Sequence, residues 1–367
     1  MKPLHIKSVH LHFCHPSIAA SRFRLALVSG RCLTLLLLPL LWAATLQAAD
    51  WRVCPTGSED SSCNLRGYPG IQQAVEQAGA GDRVTIAAGV YSPAEFRDVP
   101  YGELVIRGGV LVEGKTLQLR GEPGAVLDGS SGPAVCALLV YNSTVEISGL
   151  EIRDFKVGLA DDDLYDGHGI FIIDSKVTVQ DTQMNSIAKM AVSVFGDSRV
   201  VLSRLRVQNG HVGIWVEGNS TVRVENSLFS NNSSAAVAAY DHSSTEIYNS
   251  VVEASLDDGV FGKGNAIIVL VNSILVGNQP YAVRAEELAT ISVDYCAFDG
   301  NQSLFFPETA GGQLTAGDHV YLENLQLDMD FRPGKNFQPS RGDPAIRNRD
   351  GTVSDIGLFG GPAAPGT

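Results

Sequence analysis

The chain has 367 residues, 40 acidic against 27 basic side chains, a net charge of −13 and 44% apolar residues. The acidic balance excludes nucleic acid as a partner, because phosphate neutralisation needs a basic surface. The apolar share is enough for a buried core.

Residues 1–49 hold five basic side chains (Lys2, Lys7, Arg22, Arg24, Arg31) and no acidic one, then an apolar run from Leu33 to Leu41 and the small-residue exit Ala43 to Ala49. This pattern reads as a secretory signal peptide with a long leading region, cut near Ala48 or Ala49, with an uncleaved membrane anchor as the alternative. The apolar run is shorter than the ~20 residues of a comfortable membrane span, and nothing later in the sequence is long and apolar enough to cross one. The expected location is therefore secreted, periplasmic or cell-surface. Without the leader the net charge is −18. Such a surface repels acidic glycans unless a cation mediates or a local basic patch overrides the field. In an exported chain Cys54 and Cys63, closing a short loop, are expected to bond to each other.

Residues 50–114 read as an N-terminal cap, in which Ile71, Ala74, Val75 and Ala78 fall on one face of a helix. From 115 to 304 the sequence repeats. Glu225-Asn226-Ser227, Tyr248-Asn249-Ser250 and Val271-Asn272-Ser273 recur 23 residues apart, with Asp181 and Arg204 in the same column before them and Tyr295 after. Each period holds three short strands separated by three turns. Strands this short cannot each bury a face alone, so they stack on their equivalents in the next coil. The fold class is all-β, a right-handed parallel β-helix; a leucine-rich horseshoe would need a leucine consensus and a helical segment, and both are missing. The Asn column is expected to point inward and pair coil to coil, satisfying backbone groups left open by the turn. Cys136 and Cys296 lie about six coils apart, ~30 Å at the strand spacing, and do not pair. Residues 305–367, rich in Pro, Gly and Asp, are expected to seal the last coil. The body is one domain, and a solenoid with sealed ends is expected to be a monomer.

Three passages resemble the pectin-lyase-like superfamily of exported bacterial β-helix proteins: Trp51 to Ser58 with the helix and Ala80 to Ile86, Leu117 to Gly121 with Ala125 to Gly129, and Gly342 to Ile346 with Ser354 to Gly357. The resemblance implies glycan chemistry on the outer face of the strand that follows the longest turn. Alternation sends two columns of that strand outward. The first is Phe171, Ser193, Trp215, Ala238, Phe261 and Arg284; the second is Ile173, Phe195, Glu217, Tyr240, Lys263 and Glu286. Phe171, Phe195, Trp215, Tyr240 and Phe261 are the expected sugar-stacking residues, unless the long loops or the C-terminal residues 305–345 fold over them.

Two clusters carry candidate chemistry. The repeat lengthens to 32 residues between Gly149 and Asp181, and the surplus holds Asp161, Asp162, Asp163, Asp166 and His168, with His211 on the same edge. Asp161, Asp163 and Asp166 are candidate metal ligands, His168 and His211 candidate acids or bases, and a solvated acidic loop is the plain alternative. The Asp pair and Gly-His-Gly resemble polygalacturonase motifs, but share one loop and lack the Arg-Ile-Lys element, which disfavours an inverting hydrolase. The second cluster, Asp257, Asp258, Lys263 and Arg284, resembles Ca²⁺-dependent alginate and dermatan lyases. The likeness implies that the aspartates hold Ca²⁺, Lys263 removes the C5 proton of a uronate and Arg284 assists the leaving oxygen, with Tyr240 a further acid or base. Glu286 beside Lys263 equally reads as a cross-strand ion pair that keeps the lysine protonated. The readings carried forward are a protein that binds or modifies an acidic polysaccharide, as lyase or C5-epimerase, and a non-catalytic envelope β-helix.

Overall fold

The 23-residue period becomes three strands per coil in the computed structural model, which describes residues 48–158, 164–305 and 311–365. Among these, three long parallel sheets carry 12, 10 and 11 strands. In one coil, Thr221–Glu225 lies in the first sheet, Leu228–Ser230 in the second and Val237–Ala239 in the third. Each pairs in unbroken register with its equivalent in the next coil. Inward residues such as Val222, Val224, Phe229, Val237 and Ala239 join one continuous core along the axis. The helix Gly67–Gln77 caps it at one end, with Ile71, Ala74, Val75 and Ala78 all buried.

The corner between the first and second sheets departs from the expected Asn ladder. Asn226, Asn249 and Asn272 sit in the left-handed region, with φ of 48°, 49° and 54°, and this conformation turns their side chains away from the core. The following serines face inward instead. Leu205 N–H donates to Ser227 Oγ (3.1 Å), Ser227 N–H to Ser250 Oγ (3.1 Å) and Ser250 N–H to Ser273 Oγ (3.2 Å).

The asparagines hold the C-terminal segment. Asn226 Nδ2 donates to the Leu358 and Gly360 carbonyls (2.8 and 2.7 Å), Asn249 Nδ2 to the Asp355 carbonyl (2.7 Å), and Asn272 Oδ1 accepts from Asp343 N–H (2.7 Å). Beside this row, Leu325, Phe337, Ile356 and Leu358 bury Leu228, Val251, Ile274 and Ala297 on the outside of the second sheet. A further turn of strands, Gln313–Ala316 and Val320–Leu322, first extends the first and second sheets. The segment then runs back over three coils, so it covers a flank of the solenoid as well as following its last coil.

A second unforeseen element is an antiparallel hairpin, Arg97–Tyr101 with Leu104–Glu113. Its two-residue turn opens with Gly102 at φ 62°, a conformation that fits the twist of a tight hairpin and favours glycine. The far half of Leu104–Glu113 joins the third sheet beside Cys136–Tyr141. The near half pairs in parallel with Leu164–Tyr165.

Candidate functional site

The third sheet places both outward columns where alternation puts them. Phe171 pairs with Ser193, Ser193 with Trp215, Trp215 with Ala238, Ala238 with Phe261, and Phe261 with Arg284. The hairpin divides this face. Val99 and Ile106 from the hairpin, with Tyr101 and Leu104 at its margin, pack on Phe171, Ile173 and Phe195, leaving Phe171 and Phe195 only 0% and 5% exposed. Phe171 and Phe195 stack on each other at 4.9 Å, with Tyr165 edge-on to both. These two phenylalanines, expected to meet sugar, are the core of a small outer cluster. Their cover is the hairpin and Tyr165, whereas the C-terminal segment lies on the second sheet.

Below the hairpin the face reaches solvent. Trp215 and Tyr240 stack at 4.1 Å, Tyr240 meets Phe261 edge-on at 5.6 Å, and the Arg284 guanidinium lies 5.4 Å from the Phe261 ring centre. Each is half-buried, one per successive coil. Trp215 Nε1 donates to Glu217 Oε2 (3.0 Å), fixing the indole plane.

The polar groups at the foot of this ladder are already engaged. Arg284 bonds Glu286 and lies 3.4 Å from Asp258 Oδ2. Lys263 Nζ is 3.7 Å from Glu286 and 3.4 Å from Glu287, an ion pair with each. Asp258 is 2% exposed. Burial pushes its carboxyl up to about 6, against a smaller opposing pull from Arg284. Asp257 is exposed, with Ser234 Oγ at 3.4 Å. Burial pushes the Tyr240 phenol up to about 12, out of range for a base at neutral pH.

The residues of the lengthened turn go elsewhere. His168 is fully buried, with Nδ1 2.7 Å from Ser193 Oγ. Burial, helped by the Lys189 charge, pushes its pKa down to about 3, so it is a neutral interior group rather than a solvent-facing acid or base. Asp166 is buried too: Oδ2 accepts Gly158 N–H at 3.1 Å and Oδ1 lies 3.9 Å from Lys189 Nζ. Asp161 and Asp163 lie outside the described residues. His211 is exposed, its Nδ1 3.1 Å from Ser233 Oγ.

The fit to Ca²⁺ is poor. Six to eight oxygen ligands are needed; Asp258 gives one oxygen to Arg284 and buries the other without a partner. Among the described residues the only grouped triad of acidic, His or Cys donors is Cys54, Asp60 and Cys63, and its two sulfurs are bonded to each other.

The model of a right handed beta helix region matches residues 135–327, more than half of the sequence. The chain belongs to the right-handed β-helix family. This β-helix superposes on pectate lyase Pel9A with a TM-score of 0.57 at 11% identity, covering 85% of this chain and 96% of that one. For pectate lyase pelN from Paenibacillus sp. 0602 the values are 0.51, 12%, 69% and 78%. For ORF18 of Geobacillus virus E2 they are 0.47, 12% and 69%, and the β-helix spans 57% of that viral chain. No curated protein matches the sequence. At these identities the likeness establishes the fold alone. No helix among the described residues of this β-helix is long and apolar enough to cross a membrane.

Sequence reasoning missed Glu217 as the indole's anchor and Tyr101 and Tyr165 as cover. A signal existed for the hairpin: Tyr101-Gly102-Glu103-Leu104 is a turn flanked by apolar residues.

Proposed function

We propose that this β-helix is an exported protein that binds an acidic polysaccharide along the open half of its third sheet. The observation that carries the reading is the Trp215–Tyr240–Phe261 ladder, one ring per coil, ending on Arg284. Pyranose rings present apolar C–H faces that stack on aromatic rings, while their hydroxyls and carboxylates reach flanking polar groups. Arg284 and Lys263 are the cations a uronate meets at the foot, exchanging with Glu286 and Glu287. Export is supported by the leader-like residues 1–49 and by the Cys54–Cys63 bond.

The engaged state of the polar groups favours binding over proton abstraction. Lys263 is held by two glutamates, the Tyr240 phenol is pushed up, His168 is interior, and Asp258 Oδ1 is sealed from substrate. Incubation with alginate, polygalacturonate and dermatan sulfate, with and without Ca²⁺, tests the reading. The expected result is retention on at least one glycan, weakened in Trp215→Ala, with no near-ultraviolet rise from unsaturated uronate. A rise that Lys263→Ala abolishes would replace binding by a lyase.

A further inference from the structure

We infer a second glycan subsite, for an anionic oligosaccharide, in the groove at the corner between the first and second sheets. It lies on the opposite side of the solenoid from the aromatic ladder. The groove has a volume of about 660 Å³ and is lined by Arg83, Gln118, Arg120, Glu146, Gln180 and Gln183. It spans four successive strands of the first sheet, Asp82–Ile86, Thr116–Gly121, Thr144–Ser148 and Lys176–Gln180. Its floor is bare backbone at Gly121 and Gly149, where a Cβ on either would meet the other's carbonyl oxygen at 2.5 Å.

Charge selects the ligand. Arg83 pairs in register with Gln118 and Thr85 with Arg120. The two arginines are thus one strand and two residues apart, ~8 Å between Cβ atoms. Neither lies within ion-pair distance of a carboxylate among the described residues, whereas two of the three lining acids, Asp181 and Glu151, are held by other arginines and the third, Glu146, accepts only from the Gln118 amide. Arg204 holds Asp181 through two bonds of 2.6 and 2.7 Å, and Arg153 lies 3.3 Å from Glu151. Arg83 is oriented instead by Gln118 Oε1 at 3.1 Å, and Gln118 Nε2 donates to Glu146 at 3.2 Å. In a chain of net charge −13, two guanidiniums without carboxylate partners in the main groove are a local anion site, and guanidinium forks match carboxylates.

Shape and hydrogen bonding favour a sugar over an acidic peptide. The amides of Gln180 and Gln183 offer donors and acceptors to sugar hydroxyls, with Gln118 holding Arg83 in place. Coils repeat every ~4.8 Å, close to the length of one pyranose unit, so a uronan along the axis lays about one residue on each coil. Beyond Asp181 and Gln183 the groove meets a smaller pocket beside the C-terminal segment, where Arg204 Nη1 donates to the Ala363 carbonyl at 3.4 Å.

The inference takes its ligand class from the acidic-glycan reading but uses none of its residues. Titration calorimetry of the purified chain with tetragalacturonate and tetramannuronate tests it, with maltotetraose and tetraglutamate as controls. The expected result is a salt-sensitive binding step for a uronate tetramer, weakened at least tenfold in Arg83→Gln/Arg120→Gln and only partly weakened in Arg83→Lys/Arg120→Lys. Equal isotherms for wild type and the Gln variant, or the absence of uronate binding, would overturn it. So would tetraglutamate binding as tightly as the uronates. If Trp215→Ala alone removes all uronate binding, the ladder stands and the groove falls; the converse leaves the groove and removes the ladder.

Discussion

Asp258 is a carboxyl whose ionisation the fold opposes. Its Oδ2 faces Arg284 at 3.4 Å, its Oδ1 is buried without a partner, and burial holds its pKa at about 6. The folded value lies above the ordinary ~3.9. The contribution to stability is therefore full below pH ~4 and is lost as pH rises through about 6, amounting to ~3 kcal/mol by linkage. Asp258→Asn keeps the shape and cannot ionise. Relative to wild type, the variant should gain up to ~3 kcal/mol between pH 4 and pH 7.5 in urea-unfolding midpoints. Identical pH slopes for the two proteins would show that Asp258 does not titrate against its burial.

At the scale of elements, the hairpin and the C-terminal segment decide which parts of the solenoid surface remain surface. Phe171 and Phe195 lie under the hairpin and Trp215 beyond it. Phe171→Ala or Phe195→Ala should cost ~3–5 kcal/mol, the range for buried aromatic truncation, and leave glycan retention unchanged in the folded fraction. Trp215→Ala should do the reverse, with a small loss of stability and weakened retention, readable by thermal melts beside affinity electrophoresis. The C-terminal contacts can be dissected at Asn249, which combines φ 49° with bonds to Ser354 Oγ (3.0 Å) and the Asp355 carbonyl (2.7 Å). Asn249→Gly removes the bonds and tolerates the conformation, whereas Asn249→Ala removes the bonds and adds ~1–2 kcal/mol of left-handed strain. Both should speed proteolysis of residues 340–365, and the Ala variant should melt lower.

The same division explains what was legible beforehand. Trp215, Phe261 and Arg284 were placeable on one outward column because the coil period and strand alternation together fix both height and facing. The role of Asn226 was not, because its partners Leu358 and Gly360 lie 132 and 134 residues away in a segment without period. What covers Phe171 and Phe195 was hidden for a related reason: it is non-local packing of Val99 and Ile106 together with Tyr165. The coil period does not mark Arg83 and Arg120. Their significance depends on which carboxylates Arg153 and Arg204 have already claimed.

For the whole molecule, each coil touches only its neighbours, so stability is a sum of coil terms and interface terms along one axis. The C-terminal segment breaks that one-dimensional rule. It bonds to Asn272, Asn249 and Asn226 on three successive coils and reaches Arg204 on a fourth, so these coils cannot open singly without releasing it. Ending the chain after Leu322 would expose Leu228, Val251, Ile274 and Ala297. At ~1.5–3 kcal/mol for each large side chain, about 6 kcal/mol of gross burial is lost, offset in part by the entropy the segment regains. The loss falls on coils 226–297, while those from 116 to 208 keep their stacking and their helical cap. Hydrogen exchange of the truncated chain should show protection falling in strands 228–230, 251–253 and 274–276 while strands 144–148 and 176–180 stay protected. Urea unfolding should separate into two steps. A single transition, with protection lowered evenly along the axis, would mean that the coil interfaces alone enforce cooperativity and that the segment is only a cover.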